Sequence, residues 1–357
     1  MKRLANPLLG ERLIPVDIVL APEWWYKNTG LTFDKDFFFH PVRRIEAEQM
    51  MEKVLYEKWG RYGLGNRENV KLPEIGAVHL AAGFMLSEMM GCKVDYTDSH
   101  PPRVLPANKE KLSLNIEDAF KSDIFKDFVY LRDELKKKFG FLTGDINWGG
   151  ILNLALDLKG ENIFVDMMME PEKIRLFFNQ IATVIEKFTL AVIDETGTSS
   201  ISVNRVVKHL DKPVYLHSEC SHTMISVEDY ENYLLEFDLK WSRKRPFGIH
   251  YCGSDPHRMA ASFAKIPNLD FLDVGWGGDI KILRRFLPRT FLNIRLSPVE
   301  LIEMSVDKIA KTIERLVTDS ENPYLTGVCC INMDDKVEDE KIEIIFKTID
   351  ELRKRFK

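Results

Sequence analysis

With 357 residues, 45% of them hydrophobic and 29% charged, the chain can form a large core, and its composition excludes a collagenous, disordered or low-complexity protein. Its 50 Lys and Arg stand against 55 Asp and Glu, a net charge of −5, so no overall positive field exists to hold a phosphate backbone and nucleic acid is not an expected partner. No uninterrupted apolar run reaches the roughly 18 residues of a membrane span, and MKRLANPLLGERLIP lacks the apolar stretch of a signal peptide, so the expectation is a cytoplasmic protein with no membrane partner.

In chain order, residues 11 to 20 (ERLIPVDIVL) have the apolar content of a strand, and residues 40 to 60 have helical spacing that ends at glycine. From Phe139 onward the pattern becomes regular. Short apolar or β-branched runs at 139 to 143, 213 to 218, 247 to 252, 269 to 274, 290 to 295 and 324 to 331 read as strands. Helices are predicted at 171 to 195, 226 to 244, 255 to 266, 280 to 287, 297 to 317 and 339 to 356. Alternating strands and helices imply a parallel α/β fold. An open doubly wound sheet usually carries a glycine-rich phosphate turn, and neither GxGxxG nor GxxxxGK[ST] occurs. The expected architecture is therefore a (β/α)8 TIM barrel, one domain over residues 1 to 357 with an N-terminal helical extension to about residue 75. Function should then sit where the strands end.

Five cysteines, Cys92, Cys220, Cys252, Cys329 and Cys330, are an odd number in a chain too large to depend on disulfides, which suits core filler or metal ligands. His250 and Cys252, in Phe247-Gly248-Ile249-His250-Tyr251-Cys252-Gly253, are two residues apart and would share a strand face near its C-terminal end. A His-x-Cys pair could supply half of a zinc shell, and Cys329 or Cys330 on the last strand could complete a three-ligand set with an open position. A cysteine near a strand end also serves as small apolar filler, so the spacing alone does not decide.

Glu219, in His217-Ser218-Glu219-Cys220-Ser221-His222, could be a fourth ligand, a general base, a substrate contact or a solvated loop carboxylate. Asp145 and Asn147, in Thr143-Gly144-Asp145-Ile146-Asn147-Trp148-Gly149-Gly150, read as part of a pocket loop or as a plain strand-to-helix turn. Trp24 and Trp276 follow predicted strands and are candidates to line a substrate cavity, with core packing the competing role.

These segments, together with Met169-Glu170-Pro171-Glu172 and Ile225-Ser226-Val227-Glu228, resemble the uroporphyrinogen decarboxylase superfamily, and more closely its zinc-dependent methyltransferase branch that works with corrinoid proteins. The likeness runs from about Pro15 to the C-terminal helix in short motifs, of which His250-Tyr251-Cys252-Gly253 is the most specific. It implies zinc held by His250, Cys252 and a last-strand cysteine, Cys329 first and Cys330 as the alternative. The arginine-rich segment that the decarboxylases use on substrate carboxylates is replaced by Pro22-Glu23-Trp24-Trp25-Tyr26, which disfavours porphyrinogen decarboxylation. Residues 196 to 211 look inserted relative to the family pattern.

The resemblance thus implies a zinc-dependent methyltransferase that moves a methyl group between a small substrate (a methyl ether, methylated amine or thiol) and the cobalt of a separate corrinoid protein. No DxHxxG corrinoid motif is found, so the corrinoid should arrive on that partner. The competing expectations are a metal-free decarboxylase of the same fold and a noncatalytic barrel that binds a corrinoid or tetrapyrrole.

Overall fold

A computed structural model describes residues 13–68, 73–76, 84–145, 149–196 and 214–356. Ten strands occur among them: β1 (Val16–Leu20), β2 (Glu74–Gly76), β3 (Lys93–Asp95), β4 (Arg103–Leu105), β5 (Thr143–Asp145), β6 (Tyr215–Ser218), β7 (Phe247–His250), β8 (Leu269–Val274), β9 (Phe291–Arg295) and β10 (Thr326–Met333). Six form one parallel sheet in the order β1-β10-β9-β8-β7-β6, while β2 pairs with β5 in parallel and β3 with β4 antiparallel. In the curled six-stranded sheet the first strand pairs with the last, as in a barrel, and β2 and β5 add a separate parallel pair. Helix Ile151–Lys159, which follows β5 in the chain, meets the end of β6, where Asn153 Nδ2 donates to the Ser218 carbonyl at 3.2 Å. The fold is the (β/α)8 class expected.

Strand alternation sorts the side chains. Ile249, Leu272, Ile294, Val328 and Cys330 face outward into the large core shared with the helices. On the inner face Phe271 stacks on Phe291, with ring centroids 5.7 Å apart. Toward the strands' C-terminal ends the interior becomes polar: His250 pairs in register with Asp273, and Asp273 with Asn293. Gly253 and Gly275 let the loops above this layer approach. A Cβ on Gly253 would lie 1.9 Å from Thr223 Cγ2, and one on Gly275 1.7 Å from the Gly253 carbonyl oxygen. The loops after β6, β7 and β8 therefore stack closely.

The helical N-terminal part consists of Pro22–Thr29, Lys35–Phe39 and Pro41–Trp59, threaded between β1 and β2. Two predicted helices are each split. Residues 226 to 244 break at Leu234 into Val227–Tyr233 and Leu235–Ser242. Residues 297 to 317 break where Ser305 caps a new helix, Val306–Asp319, by accepting from Lys308 N at 3.3 Å. Helix Pro171–Thr196 is long and apolar enough by length and composition to cross a membrane. Phe177, Phe178, Ile181, Ile185 and Val192 bury one face of it in the core, which accounts for that apolarity. The segment that looked inserted lies, from residue 197, outside the described residues.

Candidate metal centre

The end of β7 and the loops beside it bring three ligand-type side chains together. The donor atoms of Cys220, His250 and Cys252 all lie within 4.8 Å of one another. His250 Nε2 is 2.6 Å from Cys252 Sγ, and Cys252 Sγ is 2.6 Å from Cys220 Sγ. Cys252 falls just beyond the strand, so the pairing with His250 comes from the turn as well as from β-alternation. The other imidazole nitrogen, Nδ1, donates to Asp273 Oδ2 at 2.5 Å, and Asn293 Nδ2 donates to Asp273 Oδ1 at 3.3 Å. Asp273 thereby fixes the ring and leaves Nε2 facing the thiols.

The charges are arranged around these sulfurs. The hydrogen bond with Cys220 holds Cys252 well below the usual thiol range, and His250 and Arg295 add to this against the effect of burial. The same contact, with burial, pushes Cys220 up. For His250, burial opposes the charge, but Cys252 and Asp273 outweigh it and raise the imidazole to about 9. One imidazole nitrogen and two sulfurs form a soft donor set that suits zinc, and the cluster lies at the end of the barrel where catalytic sites of this fold are built.

Cys329, placed by sequence in the ligand set, is buried on β10 with its Sγ 3.8 Å from Asp273 Oδ1, on the far side of that carboxylate from His250. Burial, then Asp273, push its thiol well up. Cys330 points the other way, with its Sγ 4.0 Å from Met333 Sδ in the outer core. The third ligand-type side chain of the compact cluster, and its second sulfur, is Cys220, which the sequence reading named among the five cysteines without placing it in the zinc set.

Glu219 is fully buried and has its oxygens committed to main chain. They accept from Leu152 N at 2.7 Å, Asn153 N at 3.1 Å and Ser221 N at 3.3 Å, the first two at the start of helix Ile151–Lys159. It anchors that helix terminus to the Cys220 loop. Asn153 strengthens the link, its Oδ1 accepting from Ser221 N at 2.9 Å. Behind Glu219, His217 Nε2 lies 3.6 Å from its Oε2, and His217 Nδ1 donates to Asp238 Oδ1 at 2.7 Å.

Trp24, a candidate cavity wall, is instead core: it is 3% exposed, with its ring centroid 5.0 Å from that of Trp25 and 5.9 Å from that of Trp59. Asp145 ends β5, and Asn147 lies outside the described residues. Trp276 is half-buried and borders a cavity of about 240 Å³ formed by the loop after β8, the end of β9 and helices Pro298–Glu303 and Val306–Asp319. The Arg295 guanidinium carbon lies 5.4 Å from the Trp276 ring centroid.

Comparison with solved structures finds the same fold in proteins described as methyltransferases and methionine synthases. A methyltransferase from Methanosarcina mazei superposes with a TM-score of 0.68 over 98% of both chains at 15% identity. A B12-independent methionine synthase from Shewanella sp. W3-18-1, solved with selenomethionine, matches with a TM-score of 0.51 and 11% identity over 97% of this chain and 99% of its own. A Listeria monocytogenes protein described as a vitamin-B12-independent methionine synthase matches with 0.50 and 12%, over 98% of each chain. At these identities the likeness establishes the fold. No protein-family model and no curated protein sequence matches the chain.

Sequence reasoning passed over Asp273, Arg295 and the ligand role of Cys220. Asp273 was within reach: it stands two residues before Gly275, at the same C-terminal level of its strand as His250.

Proposed function

We propose that the protein is a zinc-dependent methyltransferase, moving a methyl group between a small substrate and a carrier. The observation that carries this reading is the His250–Cys252–Cys220 cluster at the C-terminal mouth of the barrel, with His250 buried and both cysteines half-buried. His250, Cys252 and Cys220 would hold the metal, with Cys329 as the thiol available from β10. When bound, zinc supplies Lewis acidity that favours a substrate thiol as thiolate or polarises a methyl donor. The chain's own residues prepare that site. Asp273 accepts a hydrogen bond from Nδ1 of His250, and Arg295 sets a positive charge beside Cys252. Glu219 and Asn153 hold the Cys220 loop against helix Ile151–Lys159.

For the carrier we infer a separate corrinoid protein, in keeping with the family resemblance of the His250-Tyr251-Cys252-Gly253 segment. Two structural neighbours described as B12-independent favour a second version, in which the methyl group comes from a donor without cobalt. Single-turnover assays with zinc-loaded protein separate the two. Transfer between a methylated corrinoid protein and a panel of thiols, followed by the cobalt absorbance, is the expected result. Transfer only from a methylated folate would select the corrinoid-free version. Absence of transfer in both, with zinc bound, would overturn the methyltransferase reading.

A further inference from the structure

Cys220 Sγ and Cys252 Sγ lie 2.6 Å apart on the loops after β6 and β7, and both side chains are half-buried. Two thiolates on one tetrahedral zinc, each about 2.3 Å from the ion, stand about 3.8 Å apart. The sulfurs of a disulfide stand about 2.05 Å apart. The observed spacing falls between the two and nearer the bond. The pair can therefore close around a metal or onto itself. These outcomes exclude each other, because a sulfur–sulfur bond removes both anionic donors and leaves His250 as the one ligand of the cluster. The two loops meet at Thr223 and Gly253, which by itself keeps the sulfurs adjacent. The other cysteines do not compete. Cys329 Sγ faces Asp273 inside the barrel and Cys330 Sγ faces Met333 outside it, so these sequence neighbours stand on opposite sides of β10. Cys92 is buried, with its Sγ donating to the Asp157 carbonyl at 3.3 Å.

We propose that Cys220 and Cys252 are a redox modification site, forming with hydrogen peroxide a reversible disulfide that takes the place of the metal. Cys252, with His250 Nε2 at 2.6 Å as the base beside it, is the sulfur that reacts first. It attacks one peroxide oxygen, the O–O bond breaks, and hydroxide leaves as water with the thiol proton, so that Cys252 becomes a sulfenic acid. Cys220 then attacks the Cys252 sulfur: the S–S bond forms, the S–O bond breaks, and a second hydroxide leaves as water with the Cys220 proton. The two thiols lose two electrons and the peroxide gains them. That this oxidation also stops methyl transfer rests on the proposed function; the disulfide itself does not.

The test treats the purified full chain, chelated or loaded with zinc, with a small molar excess of hydrogen peroxide. Free thiols are counted, and linked peptides are read by mass spectrometry after alkylation. In the chelated protein the thiol count should fall by two from the five present, with the lost pair recovered as a Cys220–Cys252 cross-link that dithiothreitol reverses. Zinc bound beforehand should slow this by roughly tenfold or more, since it occupies both sulfurs. In Cys220→Ser the reaction should stop at a Cys252 sulfenic acid that dimedone traps. A cross-link to any other cysteine would overturn the proposal, as would oxidation of Cys252 in wild type while Cys220 stays free, or both thiols surviving the treatment. Zinc uptake is measured separately. A protein that takes up no zinc yet forms the cross-link counts against the proposed function and for the disulfide, and a zinc-binding protein whose chelated form yields no cross-link does the reverse.

Discussion

His250 and Asp273 are partners twice over. They are paired across β7 and β8, and Asp273 Oδ2 accepts from His250 Nδ1 at 2.5 Å with both side chains closed to solvent. The contact fixes which nitrogen is available to a metal and makes that nitrogen a better donor. Asp273→Asn should therefore leave the barrel folded and weaken zinc binding by about 10- to 100-fold, read by competition with a chelator. Equal affinity in the variant would reduce Asp273 to a packing residue.

The sulfurs can be told apart by metal content. Cys252→Ser and Cys220→Ser should each lose most of the zinc that wild type holds after anaerobic purification, whereas Cys330→Ser should keep it, because its sulfur lies in the outer core beside Met333. Cys329→Ser should retain more metal than Cys220→Ser. The reverse order would move the third ligand to β10, beside Asp273. Chelation of wild type should lower its melting temperature, since a metal bound only by the folded state adds to stability.

The barrel and two of the three cluster residues were legible because both rest on short-range pattern. Alternating apolar runs and capped helices mark the strands and their order, and His250 and Cys252 are two residues apart in one segment. Cys220 was not legible as a ligand, because its place depends on how the loop after β6 settles over β7, which Gly253 permits and no local spacing announces. Trp24 misled for a related reason: a tryptophan just after a strand suits a cavity wall or a core equally, and the helix Pro41–Trp59 that brings Trp59 against it decides for the core. For Glu219 the sequence left a ligand, a base, a substrate contact and a solvated loop carboxylate open, because no local spacing announces that its oxygens accept from Leu152 N, Asn153 N and Ser221 N.

Glu219 gives a direct test of that last point. Glu219→Ala removes the acceptor of three backbone N–H groups and should cost about 1 to 2 kcal/mol in denaturant unfolding. The folded variant should keep its metal. Loss of zinc from a protein that remains folded would return Glu219 to the ligand set.

His217 should make stability depend on pH. Burial opposes its charge, but Asp238 and then Glu219 outweigh it and raise the imidazole from 6.5 to about 9. A pKa raised on folding contributes stability that is fully present below about 6.5 and is lost as pH rises through about 9. The stability gap between wild type and His217→Gln should therefore narrow across that window, by on the order of 2 to 3 kcal/mol. A gap that stays constant from pH 6 to pH 10 would show that His217 is held neutral.

Pairing β1 with β10 joins Asp17 to Cys329, residues roughly three hundred positions apart. During synthesis, β1 emerges first and waits for nearly the whole chain before its neighbour exists. Val19, which ends in a small apolar cluster with Cys329 and Ile331, has no such partners until then. The entropic cost of so long a closure grows only slowly with length, but contacts this distant form late. The inner wall behind Asp273 is therefore finished last, and a chain truncated before β10 would display an unpaired strand edge on β9 with the metal-binding loops after β6 and β7 already made.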